Sequence, residues 1–306
     1  MSSHDHKESL TARHSATDDD KQELAHFNKR LTQLEKRLSL IEGKKARPIE
    51  KPEMSKAAKE MVETLLSRLS PMDVDGCRLT RIGRAFDGGY IMAPPKPYEK
   101  VAYSLGINRD VSWDLEMVRH GCKVYQYDHT IDDLPHQHEG FNYKKQGITA
   151  SHQIDERMTC LKHELQNNGH QDIDNILLKM DIEGDEWEVL ADLEMNELQK
   201  FSQILVELHD LHKVYKLFWY RKALAGLNKL FKTHQAVHVH GNNNTALRII
   251  GGYAVPPVLE VTFLRRELFQ FSPCSRTFPN KLDQPNNPSF AEHQLGSFQF
   301  TNPAKK

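Results

Sequence analysis

Beyond Leu79 the chain repeats one pattern: a short apolar run, an amphipathic stretch, then another short apolar run. Expected strands are Val101–Leu105, Lys123–Tyr127, Ile176–Met180, Gln203–Glu207 and Ala236–His240. Helices are expected between them at Ser112–His120, Gln153–Asn167, Glu186–Leu193 and Tyr215–Leu230. A strand joined to a parallel neighbour through a helix crosses over right-handedly. The repeat therefore predicts an α/β, Rossmann-like fold whose mostly parallel sheet is covered on both faces. The end breaks the pattern: Ala246–Ile250, the Gly251-Gly252 pair and Val258–Arg265 read as a C-terminal antiparallel hairpin.

The flanks follow other rules. Residues 1–20 lack apolar periodicity and are expected to be disordered. Across 21–45, Leu24, Phe27, Leu31, Leu34, Leu38 and Ile41 recur at alternating steps of three and four, the seam of a short coiled-coil helix. That stripe offers a homodimer contact through residues 24–41, or else docks on the body of the protein. Residues 46–78 read as a Pro- and Lys-rich linker, then a helix with Met61, Val62, Leu65 and Leu66 on one face, ended by Pro71. The catalytic domain is expected over 79–271, with an irregular tail over 272–306. With 41 basic against 42 acidic residues, the chain as a whole has no field to attract nucleic acid. No run approaches the roughly 18 apolar residues of a membrane span. No signal peptide is seen, so a cytoplasmic location is expected. The four scattered cysteines read as reduced, packed thiols.

In an open parallel sheet, ligands bind beyond the carboxyl ends of the strands. The residues there are Gly106-Ile-Asn108-Arg-Asp110 after the first strand and Asp128-His129 after the second. Asp181-Ile-Glu183-Gly184-Asp185-Glu186, Glu207-Leu-His209-Asp210 and His238-Val-His240 follow the later ones. A glycine lets backbone approach a ligand, and an acid about 20 residues further on can accept both hydroxyls of a ribose. Asp185 and Glu186 suit the positive end of the next helix. Asp181, Glu207, His209 and His240 converge as candidates for a general base. Asp181 with Glu207 could also hold a hard cation such as magnesium or manganese. His136 and His138 lie in a Pro-containing loop and read as solvated.

Four segments carry a resemblance. They are VAYSLGINRDVSWDLEMVRHGCKVYQYDHT at 101–130, LLKMDIEGDEWEVL at 177–190, ILVELHDLH at 204–212 and the upstream RIGRAFDGGYIM at 81–92. Together they resemble class I S-adenosylmethionine-dependent methyltransferases, most closely the group that includes the methyltransferase-like 24 proteins and more distantly the FkbM methyltransferases. The resemblance implies S-adenosylmethionine as cofactor. It implies Gly106, Asn108 and Asp110 beneath the methionine part, Asp128 with His129 at the ribose, and Asp181 beside the transferred methyl. Glu207, His209 and His240 would face the acceptor, a hydroxyl of a small molecule or glycan. The loop departs from the family by carrying one glycine where a glycine-rich run is usual. Two other readings stay open: a metal-dependent hydrolase built on the acid and imidazole strand ends, and a non-catalytic cofactor-fold scaffold with a partner helix.

Overall fold

The computed structural model describes residues 53–303; the expected disorder over 1–20, the coiled-coil helix over 21–45 and its dimer contact lie outside the described residues. Seven strands form the main sheet: β1 Val101–Leu105, β2 Lys123–Tyr127, β3 Phe141–Lys144, β4 Ile176–Met180, β5 Phe201–Leu208, β6 His234–Gly241 and β7 Leu259–Arg265. Their order is β3-β2-β1-β4-β5-β7-β6, and only β7 runs against the rest. The fold is thus α/β with a mostly parallel sheet. β4, β5 and β6 are buried at every position, as strands covered on both faces must be.

The helices are α1 Lys56–Leu66, α2 Ser112–Arg119, α3 Leu161–Asn167, α4 Glu186–Asp192 and α5 Leu217–Thr233, with a further turn at Met195–Leu198. Ser55 caps α1 by accepting from the Ala58 N–H at 3.2 Å, and the helix buries Ala58, Val62, Leu65 and Leu66 in the main core. That spacing of three and four is the amphipathic stripe read from sequence. Against α4, α5 sets Trp219 edge-on to Trp187 at 4.9 Å.

Three expectations change. The helix expected at Gln153–Asn167 is a short 3-10 turn, a strand at Met158–Cys160 and then α3, because Met158–Cys160 pairs with Gly147–Thr149. β7 does not pair with Ala246–Ile250. It inserts between β5 and β6, while Arg248–Ile250 makes its own hairpin with Tyr253–Val255. β3 went unread, since Phe-Asn-Tyr-Lys is half-buried throughout and shows no apolar run. The segment after 271 is mostly irregular, yet it buries Phe278 and Phe298 in the main core. Thr80–Gly83 and Gly89–Met92 form an additional hairpin ahead of the sheet. Among the described residues, no helix is long and apolar enough to cross a membrane.

Candidate active site

The chain leaves β1 toward β2 and β3, then returns to the other side of β1 as β4. Strand order therefore reverses between β1 and β4, the place where a crevice opens in such sheets. A cleft of about 540 Å³ lies there, over the carboxyl ends of the strands.

Its floor is set by one close approach. Gly106 ends β1 with φ +78°, and a Cβ added to it would stand 1.7 Å from the Asp181 carbonyl oxygen. Only glycine permits both the left-handed turn and the contact. The Asp181 N–H donates to Leu105 O at 2.9 Å, and the Gly106 N–H to Tyr127 O at 2.9 Å, so three strand tips are tied together. Lys179, buried within β4, donates from Nζ to Gly106 O at 2.8 Å. Beneath it, burial raises the carboxyl pKa of Asp114, and the Lys179 charge pulls the other way.

Asp128 anchors the loop. Its Oδ2 accepts from the N–H groups of Ile107 and Asn108, both at 2.8 Å, and its Oδ1 from the Thr130 N–H at 2.7 Å and Oγ1 at 2.6 Å. A carboxylate offers about four lone-pair sites, and all are engaged. Burial opposes its charge, but the amides of Asn108 and Ile107 and both Thr130 donors outweigh that and hold its pKa below the usual value. Asp110 accepts from the Ser112 N–H and Oγ, both at 3.0 Å, at the start of α2. His129, Thr130, Ile148 and Met158 wall this end of the cleft.

Arg84, Asp87, Gly88 and Tyr90 from the hairpin also line the cleft, with Arg84 Nε 3.7 Å from Asp110 Oδ2, and so do Asp181 and Glu183. Burial pushes the Asp181 carboxyl up to about 6, Glu183 and Glu186 add to the rise, and Lys179 and His209 restrain it. His209 Nε2 lies 4.0 Å from Asp181 Oδ1 and 3.5 Å from Glu183 Oε2, while Nδ1 is 3.0 Å from Glu186 Oε1. Burial alone would lower its pKa, yet these carboxylates, Glu186 foremost, carry it up to about 9. His209 is thus an imidazolium at neutral pH. Glu186 Oε1 also accepts from the Ile182 N–H at 2.9 Å and the Gly184 N–H at 3.3 Å, so it shapes the loop as well as fixing the ring.

All six residues expected at the cofactor, Gly106, Asn108, Asp110, Asp128, His129 and Asp181, line this cleft. Glu207, His209 and His240 do not. Glu207 accepts from Asn242 Nδ2 at 2.6 Å and pairs across the sheet with Glu260; burial, then Asp181 and Glu260, raises its pKa, which favours the neutral acid. His240 Nδ1 meets Glu260 Oε2 at 3.2 Å and Nε2 meets Glu292 Oε2 at 3.1 Å. With a carboxylate on each nitrogen its pKa reaches about 10 despite burial. His240 therefore sits between two carboxylates and away from the cleft. Among the described residues, the three-ligand group within 4.8 Å is Asp181, Glu186 and His209.

The pattern of residues 77–238, running from before the hairpin into β6, matches the model of the methyltransferase FkbM domain. The chain belongs to the FkbM methyltransferase family. No curated protein matches it significantly. The FkbM domain thus contains the whole cleft, whereas the segment carrying Asp283, Asn286 and Glu292 lies beyond it. Sequence reading missed Lys179, whose signal was a lone lysine in an apolar strand, and Glu186, which looked like a helix-end acid. It also gave no site role to Arg84, Asp87 and Tyr90, although the DGGY run was visible.

Proposed function

We propose that this FkbM methyltransferase uses S-adenosylmethionine to methylate a hydroxyl of a small molecule or sugar, with Asp181 as general base. The observation that carries the reading is the cleft at the reversal of strand order, lined by all six residues expected at the cofactor, with Gly106 packed against the Asp181 backbone in its floor. Such a bare backbone floor, under a loop that Asp128 pins from below, suits a cofactor laid across strand tips. His129 and Thr130 would hold the nucleoside end, and Asn108 and Asp110 the methionine part. Lys179 supplies positive charge beside Gly106, and Arg84 beside Asp110. When bound, the cofactor supplies a methyl group already activated on sulfonium.

The remaining chemistry belongs to the chain. Asp181, with its pKa near 6, is ionised at neutral pH and basic enough to accept the acceptor's proton. The His209 imidazolium, fixed by Glu186, balances the carboxylates around it and supplies beside Asp181 the positive charge that a metal ion would otherwise bring. Within the family, the RIGRAFDGGYIM segment, which forms the hairpin, is the sequence feature that favours the methyltransferase-like 24 group.

Calorimetric titration of the full chain with S-adenosylmethionine and S-adenosylhomocysteine tests the cofactor assignment. One saturable site for each, lost in Gly106→Ala, is the expected result. A wild-type chain that binds neither would refute it and return weight to the hydrolase or scaffold readings.

A further inference from the structure

From Leu211 to Leu259 the sequence contains no Asp or Glu, although acids and bases nearly balance over the whole chain. The first part of this stretch, through the end of α5, holds Lys213, Lys216, Arg221, Lys222, Lys229 and Lys232. Acids elsewhere engage two of them: Asp210 pairs with Lys213 at 2.6 Å, and Glu188 pairs with Lys222. Lys216 and Arg221 are exposed and have no acidic partner among the described residues.

Between and beside them the apolar side chains point outward. Phe218 is 84% exposed, Leu217 50% and Tyr215 41%, three of the large apolar residues left uncovered. A helix that packs on a core buries its large apolar residues. α5 does so through Trp219, Ala223, Leu227 and Leu230, so the outward trio is additional to the packing face.

Their position follows from topology. β5 ends at Leu208 on the carboxyl edge of the sheet, and α5 must return to the opposite edge before β6 runs parallel to β5. Leu217 and Phe218 therefore stand in the first turn of α5, with Tyr215 just ahead of it, on the same edge as the cleft and a short turn after His209.

We propose that this rim is a docking surface for an anionic lipid bilayer, with Tyr215, Leu217 and Phe218 entering the headgroup region and Lys216 and Arg221 meeting lipid phosphates. Charge decides the class of partner. Apolar tips flanked by cations without counter-acids complement a negatively charged interface. Area points the same way: a stable protein interface needs about 800 Å² per side, more than three protruding side chains provide, whereas shallow insertion needs only a few. The bilayer would then lie along the edge where the cleft opens. Vesicle binding does not depend on the methyltransferase reading and can be measured apart from it.

Flotation of the full chain with vesicles of phosphatidylcholine alone, and with phosphatidylserine at about 7:3, reads the surface directly. The wild type should float with the anionic vesicles only, and added salt should release it. Leu217→Ser with Phe218→Ser should weaken binding at least about tenfold. Lys216→Glu with Arg221→Glu should weaken it by about fivefold or more for each site. All four positions are exposed, so melting temperatures should stay at the wild-type value and keep the comparison valid. A wild type that ignores anionic vesicles, or apolar variants that bind as before, would overturn the proposal. A concentration-dependent mass in light scattering that disappears in the apolar variant, without vesicle binding, would instead assign the surface to a second copy of the chain.

Discussion

Replacing Gly106 with alanine is the sharpest probe of the site, because the structure specifies two separate costs. The left-handed φ of +78° costs a residue with a side chain about 1–2 kcal/mol. The new methyl would also lie 1.7 Å from Asp181 O, so the tips of β1 and β4 must part by more than an ångström. Parting them stretches the 2.9 Å bond from the Asp181 N–H to Leu105 O and the 2.8 Å bond from Lys179 to Gly106 O. Leaving buried polar groups unpaired costs about 1–3 kcal/mol more. The sum is about 2–5 kcal/mol, a fall in Tm of roughly 5–20 °C for a domain of this size. Gly169→Ala is the matched control: its φ is +72°, but nothing lies within 4 Å of its added Cβ, so it bears the conformational cost alone. Urea denaturation and cofactor titration of both variants separate the contributions. If Gly106→Ala matches Gly169→Ala in stability and still binds cofactor like the wild type, the close approach does not constrain the site and the argument fails.

Asp128→Ala should lose cofactor binding and also loosen the 106–108 loop, since four donors lose their acceptor at once; faster amide exchange at Ile107 and Asn108 is the readout, and wild-type protection there would show that the loop is held by other means. Activity should trace a bell, rising as Asp181 ionises near pH 6 and falling as His209 loses its proton near pH 9; Asp181→Asn should abolish it, and a flat kcat/KM profile would remove Asp181 as base. Chelation should leave that profile unchanged, because His209 supplies the positive charge beside Asp181; activity restored only by magnesium or manganese would assign a metal to Asp181, Glu186 and His209. The charged form of His240 is favoured by folding, so its contribution is complete below the unfolded pKa near 6.5 and is lost as pH rises through about 10. His240→Phe leaves the Glu260 and Glu292 carboxylates without their cation and should cost about 3–5 kcal/mol at neutral pH. Wild-type stability of that variant in urea would show that the pair is not ionised.

The strand tips were legible from sequence because a parallel crossover sends every strand in one direction, so Gly106, Asp128 and Asp181 had to share an edge. Apolar runs such as Ile176–Met180 announce themselves when both faces are covered, whereas Phe141–Lys144, at the sheet edge and only half-buried, gives no such run. Local pattern fixes which way a side chain faces but not what it meets there. That His240 lies between Glu260 and Glu292, that Asn286 bridges Glu260 and Asp87, and that Asp283 takes His238 depend on the segment beyond 271 folding back across β6 and β7. The same holds for His209, whose imidazole reads as a neutral base in sequence and becomes a cation only where Asp181, Glu183 and Glu186 surround it. Periodicity alone determined the central parallel strands and the edge that carries the site, but not the edge strand β3 or the insertion of β7. The protonation states on that edge were decided by tertiary contacts, because a buried group's pKa depends on charges brought close from distant parts of the chain.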